Sequence, residues 1–196
     1  MTPLILASGS ISRAGLLNGA GVPFTVLPAS VDEKAAKEEL RHKSARDIAR
    51  SLAELKALHV SKLRPDALVL GADQVLALGN EIVDKSANGE EAAVVLRRLR
   101  GKEHKLVTAV ALAKGREVLW RYVDESILVM CQFTDTFLTD YLAREGDAIL
   151  GCVGCYRLEG LGAQLFERIE GDYFSILGLP LLPVLSKLRE HGVIAT

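Results

Sequence analysis

The chain has 196 residues, 49% of them hydrophobic and 25% charged, with a net charge of −1. That length supports one substantial core, or two lobes sharing a cleft. A near-neutral balance offers no basic surplus for a nucleic-acid polymer, although local cations can still hold a small anion.

In chain order, Leu4-Ile5-Leu6-Ala7 reads as a buried strand (3–7). Ser8-Gly9-Ser10 then turns into a helix over 10–20, with Ser10 or Ser12 as its cap. A helix start preceded by small residues can hold a phosphate, and Arg13 adds a planar fork of donors. The plain alternative is an ordinary strand-turn-helix with a surface arginine. A strand at 24–27 leads to Asp32-Glu33, read as metal ligands or as solvated charges. The helix 44–62 carries Ala45, Ile48, Ala49, Leu52 and Leu55 on its inward face, with Lys56 at the edge. A lysine there is expected to snorkel to water; the sharper alternative places it against a cleft.

Strands follow at 67–72 and 74–78, with Asp73-Gln74 at the strand end where ligands bind in α/β sheets. Asp73 there holds a hard cation, orients a water, or merely caps a loop. Gly79-Asn80 and Gly115-Arg116 read as turns between strands. Lys85 lies just beyond a short strand, as a phosphate clamp or a solvated loop residue. A helix at 88–100 and long strands at 104–114 and 117–130 complete the middle of the chain. The latter pair looks antiparallel, which makes the sheet mixed. Beyond a helix at 134–144, the glycine-rich stretch 151–162 holds Cys155, Tyr156 and Glu159, as a pocket wall or a mobile surface loop. Strands at 155–158 and 174–177 and a helix at 180–191, with Leu181, Leu182, Leu185 and Leu188 toward the core, close the reading.

The four histidines are scattered and no P-loop signature is present, which excludes triad and P-loop chemistry. Cys152 and Cys155 form a C-x-x-C without a second ligand pair, so they read as structural or incidental thiols. No apolar run is long enough to span a membrane, and the N-terminal run lacks a basic start. The expected location is the cytoplasm. The combined set of cations (Arg13, Lys56, Lys85) and acids (Glu33, Asp73) suits a polyphosphate neutralised partly by a divalent ion.

The segments LILASGSISRAGLL (4–17), VDE (31–33), LAELKA (52–57), GADQVL (71–76), VDK (83–85) and LRRLRGKEH (96–104) stand in order with GCYRLEGLGAQLFERIEGDYFSILGLPL (154–181). With them the chain resembles the Maf family of nucleoside triphosphate pyrophosphatases over nearly its whole length. The resemblance implies one domain, 1–196, with a mixed, strongly twisted α/β sheet, flanking helices and two lobes around a deep cleft. It implies hydrolysis of a nucleoside triphosphate to the monophosphate and pyrophosphate with Mg²⁺ or Mn²⁺, in a homodimer; no membrane partner is expected, since no apolar run is long enough to span one. Asp73 falls on the family's proton acceptor, and Glu33 joins it at the metal. The phosphate positions fall on Ser8, Ser10, Arg13, Lys56 and Lys85. The substrate-selecting positions fall on Ser12, Gln74 and Glu159.

Gln74, Glu159-Gly160 and the Leu165–Arg168 run resemble the branch acting on 7-methyl-GTP rather than the one acting on dTTP and UTP. The chain departs from the family pattern at Ile11-Ser12, where Pro-Arg is usual, at Gly15, usually Glu, and at Asp84 and Ser86, which flank Lys85 in place of Gly and Pro. A nucleotide-binding regulator of cell division with weak hydrolysis is the alternative from another class. A general phosphatase is disfavoured, because no phosphorylatable aspartate motif is present.

Overall fold

A computed structural model describes residues 2–195. Its elements run β1 (Leu4–Leu6), α1 (Ile11–Gly19), β2 (Thr25–Val26), α2 (Glu33–Leu40), α3 (Ala45–Leu63), β3 (Leu68–Leu78), β4 (Glu81–Val83) and α4 (Gly89–Leu99). Then follow β5 (Glu103–Lys114), β6 (Glu117–Met130), α5 (Asp135–Glu145), two 3₁₀ turns, β7 (Phe166–Glu170), α6 (Tyr173–Ile176) and α7 (Leu181–Glu190). The seven-stranded sheet has the order β2-β1-β3-β5-β6-β7, with β4 beside β3. β1 runs parallel to β2 and β3, while β4 and β7 run antiparallel to β3 and β6. The sheet is therefore mixed, as expected. The two residues between β5 and β6 admit only antiparallel neighbours.

The chain divides into two compact units. One comprises the residues up to Gln74, Thr108–Asp124 and those from Asp172 onward; the other comprises Val75–Val107 and Glu125–Gly171. In the first unit the strand period of two buries both faces of the parallel strands. Leu4, Leu6, Leu68 and Leu70 join Leu17 of α1 and Leu181, Val184 and Leu188 of α7 in one core cluster. Ile5, Ala7, Val69 and Ala67 join Val60 of α3 in another. Each fully buried leucine contributes about 2 kcal/mol. In the second unit Ala92, Leu96 and Leu99 of α4 are buried, as are Leu138 and Tyr141 of α5 and Leu128 and Met130 of β6.

Side-chain caps fix most helix starts: Ser10, Ser44, Asn88 and Thr134 each accept from the backbone N–H three residues on. Leu55 and Leu182, expected inward, are 39% and 61% exposed. The buried stripe of α3 runs instead through Ile48, Leu52, Lys56 and Val60.

Three expectations fail for local reasons. The single strand β3 spans both of the strands expected at 67–72 and 74–78. No strand forms at 155–158, because Gly154 (φ 81°) and Cys155 (φ 58°) take left-handed backbone. Residues 174–177 lie mostly in helix α6, which Asp172 caps by accepting from Ser175 N–H at 2.8 Å.

α3 crosses β3 at Gly71. A Cβ there would stand 2.3 Å from the Ala53 carbonyl oxygen and 2.6 Å from the Ala57 nitrogen. Both are backbone atoms that cannot yield without moving the helix. Gly71→Ala is expected to lower stability by about 3 kcal/mol, read from the urea midpoint. A loss below about 0.5 kcal/mol would show that α3 does not depend on this close approach.

Candidate functional site

The first unit gathers its polar residues just beyond β1 and midway along β3: Asp73 and Gln74, expected at a strand end, lie inside β3, which continues to Leu78. Leu6 pairs with Leu70, and β3 then runs on to Asp73 while β1 gives way to Ser8. Arg13, on the first turn of α1, stitches these together. Its Nε donates to the Gly178 carbonyl at 2.8 Å, and its Nη1 to Ser8 Oγ and the Ala72 carbonyl, both at 3.0 Å. It is thus not the free surface arginine of the plain reading, and part of its fork is spent on protein acceptors. Burial pulls its guanidinium below the ordinary range, against the opposing fields of Asp73 and Glu33.

Ser8 Oγ also accepts from the Ser10 N–H at 3.3 Å, and Ser10 Oγ caps Arg13 N–H at 3.4 Å. Ser12 is partly exposed on the same turn. A cavity of about 360 Å³ adjoins this helix start, lined by Ser8, Ser10, Ile11, Gly15 and Val26 among others. Gly15 leaves it without the negative charge that a glutamate at that position would bring.

Lys56 corrects the snorkelling expectation. It is 7% exposed, and its ammonium lies 2.7 Å from Asp73 Oδ1 and 2.9 Å from Glu33 Oε2. The close crossing at Gly71 carries α3 near enough for this contact. Asp73 is 5% exposed, and its second oxygen, Oδ2, is buried with no hydrogen-bond partner. Asp32 caps α2, its Oδ1 accepting from Ala35 N–H at 2.9 Å. No residue of α2 is fully buried and most are charged, which is why periodicity did not announce that helix.

Gln74 is held by three protein acceptors. Its Nε2 lies 2.8 Å from Thr108 Oγ1 and 3.0 and 3.1 Å from the carbonyls of Ser175 and Ile176. Two carbonyls on one side fix which end of the amide is nitrogen, so Oε1 is the end left to accept.

In the second unit, Lys85 and Glu159 are both exposed. Both act on the thiol of Cys152, which burial pushes up, Glu159 pushes further, and Lys85 pulls back. All three cysteines are free. The stretch 151–162 is not a surface loop at its centre: residues 153–156 are buried. His104 Nε2 stands 2.8 Å from the Tyr156 hydroxyl, and His104 Nδ1 is buried without a partner.

Burial lowers the His104 pKa from 6.5 to about 4. Between these values the unfolded chain binds the extra proton and the folded one does not. Stability is therefore full above pH 6.5 and is lost as the pH falls toward 4, by about 3 kcal/mol. His104→Gln, which keeps a partner for Tyr156, is expected to flatten that part of a stability-against-pH curve. An unchanged slope would place the acid sensitivity elsewhere.

The fold and this cluster define an α/β protein with cations and carboxylates gathered around the end of β1 and the middle of β3. Over residues 3–191 it matches the family described as Maf-like protein, and the chain belongs to that family. It is 50% identical over 190 residues to the nucleoside triphosphate pyrophosphatase of Granulibacter bethesdensis, covering 96% of each chain. It is 47% identical over 193 residues to the 7-methyl-GTP pyrophosphatase of Rhizobium meliloti, covering 97% of each. Among solved structures, a HAM1 protein from Coxiella burnetii aligns with 68% of this chain and 75% of its own, at TM-score 0.45 and 16% identity.

Proposed function

We propose that this chain is a nucleoside triphosphate pyrophosphatase, a hydrolase of phosphoanhydride bonds, and that 7-methyl-GTP is its preferred substrate. The observation that carries the chemistry is the buried Lys56–Asp73 pair with Asp73 Oδ2 left unpartnered. The family membership and the names of its close relatives support the reaction. Gln74 and Glu159 support the base, since both offer acceptors to a ring that carries N–H donors. Glu159 also suits a methylated, cationic base.

Water attacks the α-phosphorus in line, and pyrophosphate leaves. Asp73 takes the proton at Oδ2, while Lys56 holds Oδ1 and fixes the carboxylate plane. Arg13 and Lys56 offset charge on the departing phosphates, and the Ser8 and Ser10 hydroxyls line their approach to α1; Lys85, in the second unit, is the further phosphate residue that the family resemblance implies. Ser12 sits on that turn as a selecting position.

A divalent ion fits the donor set. Glu33, half exposed, and Asp73 are hard oxygen donors of the kind such an ion takes. Among the described residues no group of three or more His, Cys, Asp or Glu is placed to hold a metal. Mg²⁺ or Mn²⁺ would therefore complete its shell with substrate phosphate oxygens and water, and would supply charge neutralisation there. The same reading makes the protein a cytoplasmic homodimer. No helix among the described residues is long and apolar enough to cross a membrane.

The test is a turnover panel of 7-methyl-GTP, GTP, dTTP, UTP and CTP with Mg²⁺ or Mn²⁺, pyrophosphate and phosphate being assayed separately. The expected result is metal-dependent pyrophosphate release, fastest with 7-methyl-GTP and lost on chelation. Fastest release from dTTP or UTP would keep the reaction and replace the substrate. Binding without release from any nucleotide would favour the cell-division regulator.

A further inference from the structure

The second unit contains a clasp around residues 155–157 that the proposed chemistry does not use. Tyr141 and Glu145 stand one helical turn apart on α5 and both reach this segment. The Tyr141 hydroxyl donates to the Cys155 carbonyl at 3.1 Å. Glu145 Oε2 accepts from Arg157 Nε at 3.0 Å and from Nη2 at 2.7 Å, and the glutamate side chain is only 2% exposed. Ser86 Oγ meets Cys155 Sγ at 3.1 Å, and His104 meets the Tyr156 hydroxyl. Three consecutive residues are thus held by four side chains, and the left-handed backbone at Cys155 is enforced by its surroundings.

Arg157 is the base of a tight turn. Its carbonyl accepts from the Gly160 N–H at 3.2 Å, which leaves Glu159 at the third position of that turn. Gly162 packs against the same residue so closely that a Cβ would lie 2.4 Å from the Arg157 carbonyl oxygen and 2.7 Å from its nitrogen. The direction of Glu159 follows from where Arg157 is pinned.

We infer that the Glu145–Arg157 ion pair is a specificity-positioning device: it fixes the turn that presents Glu159 to the nucleobase. This rests on the proposed reading of Glu159 as a base-selecting residue. Neither Glu145 nor Arg157 touches the substrate in this account; each acts through Glu159. A buried glutamate is costly unless it is paired, and here its partner is the residue that sets the turn.

The experiment compares kcat/KM for 7-methyl-GTP and UTP in the unaltered protein and in four variants. Glu159→Gln measures what the base-reading carboxylate contributes. Glu145→Leu with Arg157→Met removes the pair without stranding a buried charge, so the fold is retained, and a thermal melt verifies this. Arg157→Lys restores one donor, and the triple variant combines the pair replacement with Glu159→Gln. The expected result is a fall of about tenfold in the 7-methyl-GTP to UTP ratio for Glu159→Gln. The pair replacement should give a similar fall, with kcat for UTP within about twofold of its original value. The triple variant should show no further change, and Arg157→Lys should fall between.

An unchanged ratio in the pair replacement overturns the inference, while Glu159→Gln still reports on the base reading. Equal loss toward both substrates, additive with Glu159→Gln, reduces the pair to a structural brace and also overturns it. If Glu159→Gln itself leaves the ratio unchanged, the base reading falls, and this inference falls with it.

Discussion

Asp73→Asn is expected to slow pyrophosphate release by about 10³-fold while leaving nucleotide binding within a few-fold. Asparagine keeps the size of the side chain and an acceptor for Lys56, 2.7 Å away. It removes the basic oxygen that would accept the proton of the attacking water. Lys56 retains Glu33 as a charged partner at 2.9 Å, so the ammonium is not stranded. The measurement pairs initial rates with equilibrium binding of a non-hydrolysable triphosphate. A rate within tenfold of the original removes Asp73 from the chemistry. Lost binding as well as lost rate would make it a substrate or metal ligand alone.

Lys56→Met is expected to lower stability by about 3–5 kcal/mol. The methylene stem is matched in volume, so packing against Leu52 and Val60 along α3 is kept. What is lost is the cation in direct ion-pair contact with Asp73, a side chain 5% exposed. Leaving one member of a buried pair uncompensated costs more than the intact pair contributes. The double replacement, Lys56→Met with Asp73→Asn, should therefore recover most of the loss. Glu33 provides the contrast: its side chain is 48% exposed, so Glu33→Gln should cost less than about 1 kcal/mol. Urea unfolding of the four proteins checks the series. A Lys56→Met loss no larger than that of Glu33→Gln would mean that water reaches Asp73 and replaces the lysine.

Much of the architecture was legible because its causes are local. Ser10, Ser44, Asn88 and Thr134 mark helix starts by the residue type that a cap demands. Gly79 and Gly115 adopt the positive φ that their turns need, at 61° and 60°. The misses share a cause as well. α2 has no fully buried residue and is short and mostly charged (Glu33, Lys34, Lys37, Glu38, Glu39), so its half-buried face of Ala36 and Leu40 gives little apolar signal. β7 is an edge strand carrying Glu167, Arg168 and Glu170, and charge on an edge guards against further pairing while hiding the strand pattern. Residues 155–158 have strand-like composition, but their hydrogen bonds go to side chains from α5, β5 and the segment after β4.

The candidate site divides in the same way. Which residue types are present, and that Ser8 and Arg13 stand between a strand end and a helix start, was set by motifs that a linear reading can find, whereas Asp73 and Gln74, expected at a strand end, lie inside β3. Whether a given cation faces water or a carboxylate was not. Lys56 sits at the edge of an apolar stripe, where period alone sends it outward. It is buried because Gly71 lets α3 lie close on β3, a fact about two segments meeting. Arg13 is likewise committed to acceptors 59 and 165 residues away.

The sequence by itself determined the alternation of elements, their caps and turns, and the inventory of phosphate-suited and carboxylate side chains. These depend on backbone preferences and on spacings of two and 3.6 residues. Only the tertiary structure decided which oxygens stay unpartnered, which donors are already used, and what pins the turn beneath Glu159. Those depend on strand register and on how closely helices approach the sheet, and burial then sets what each charge costs and what it can do.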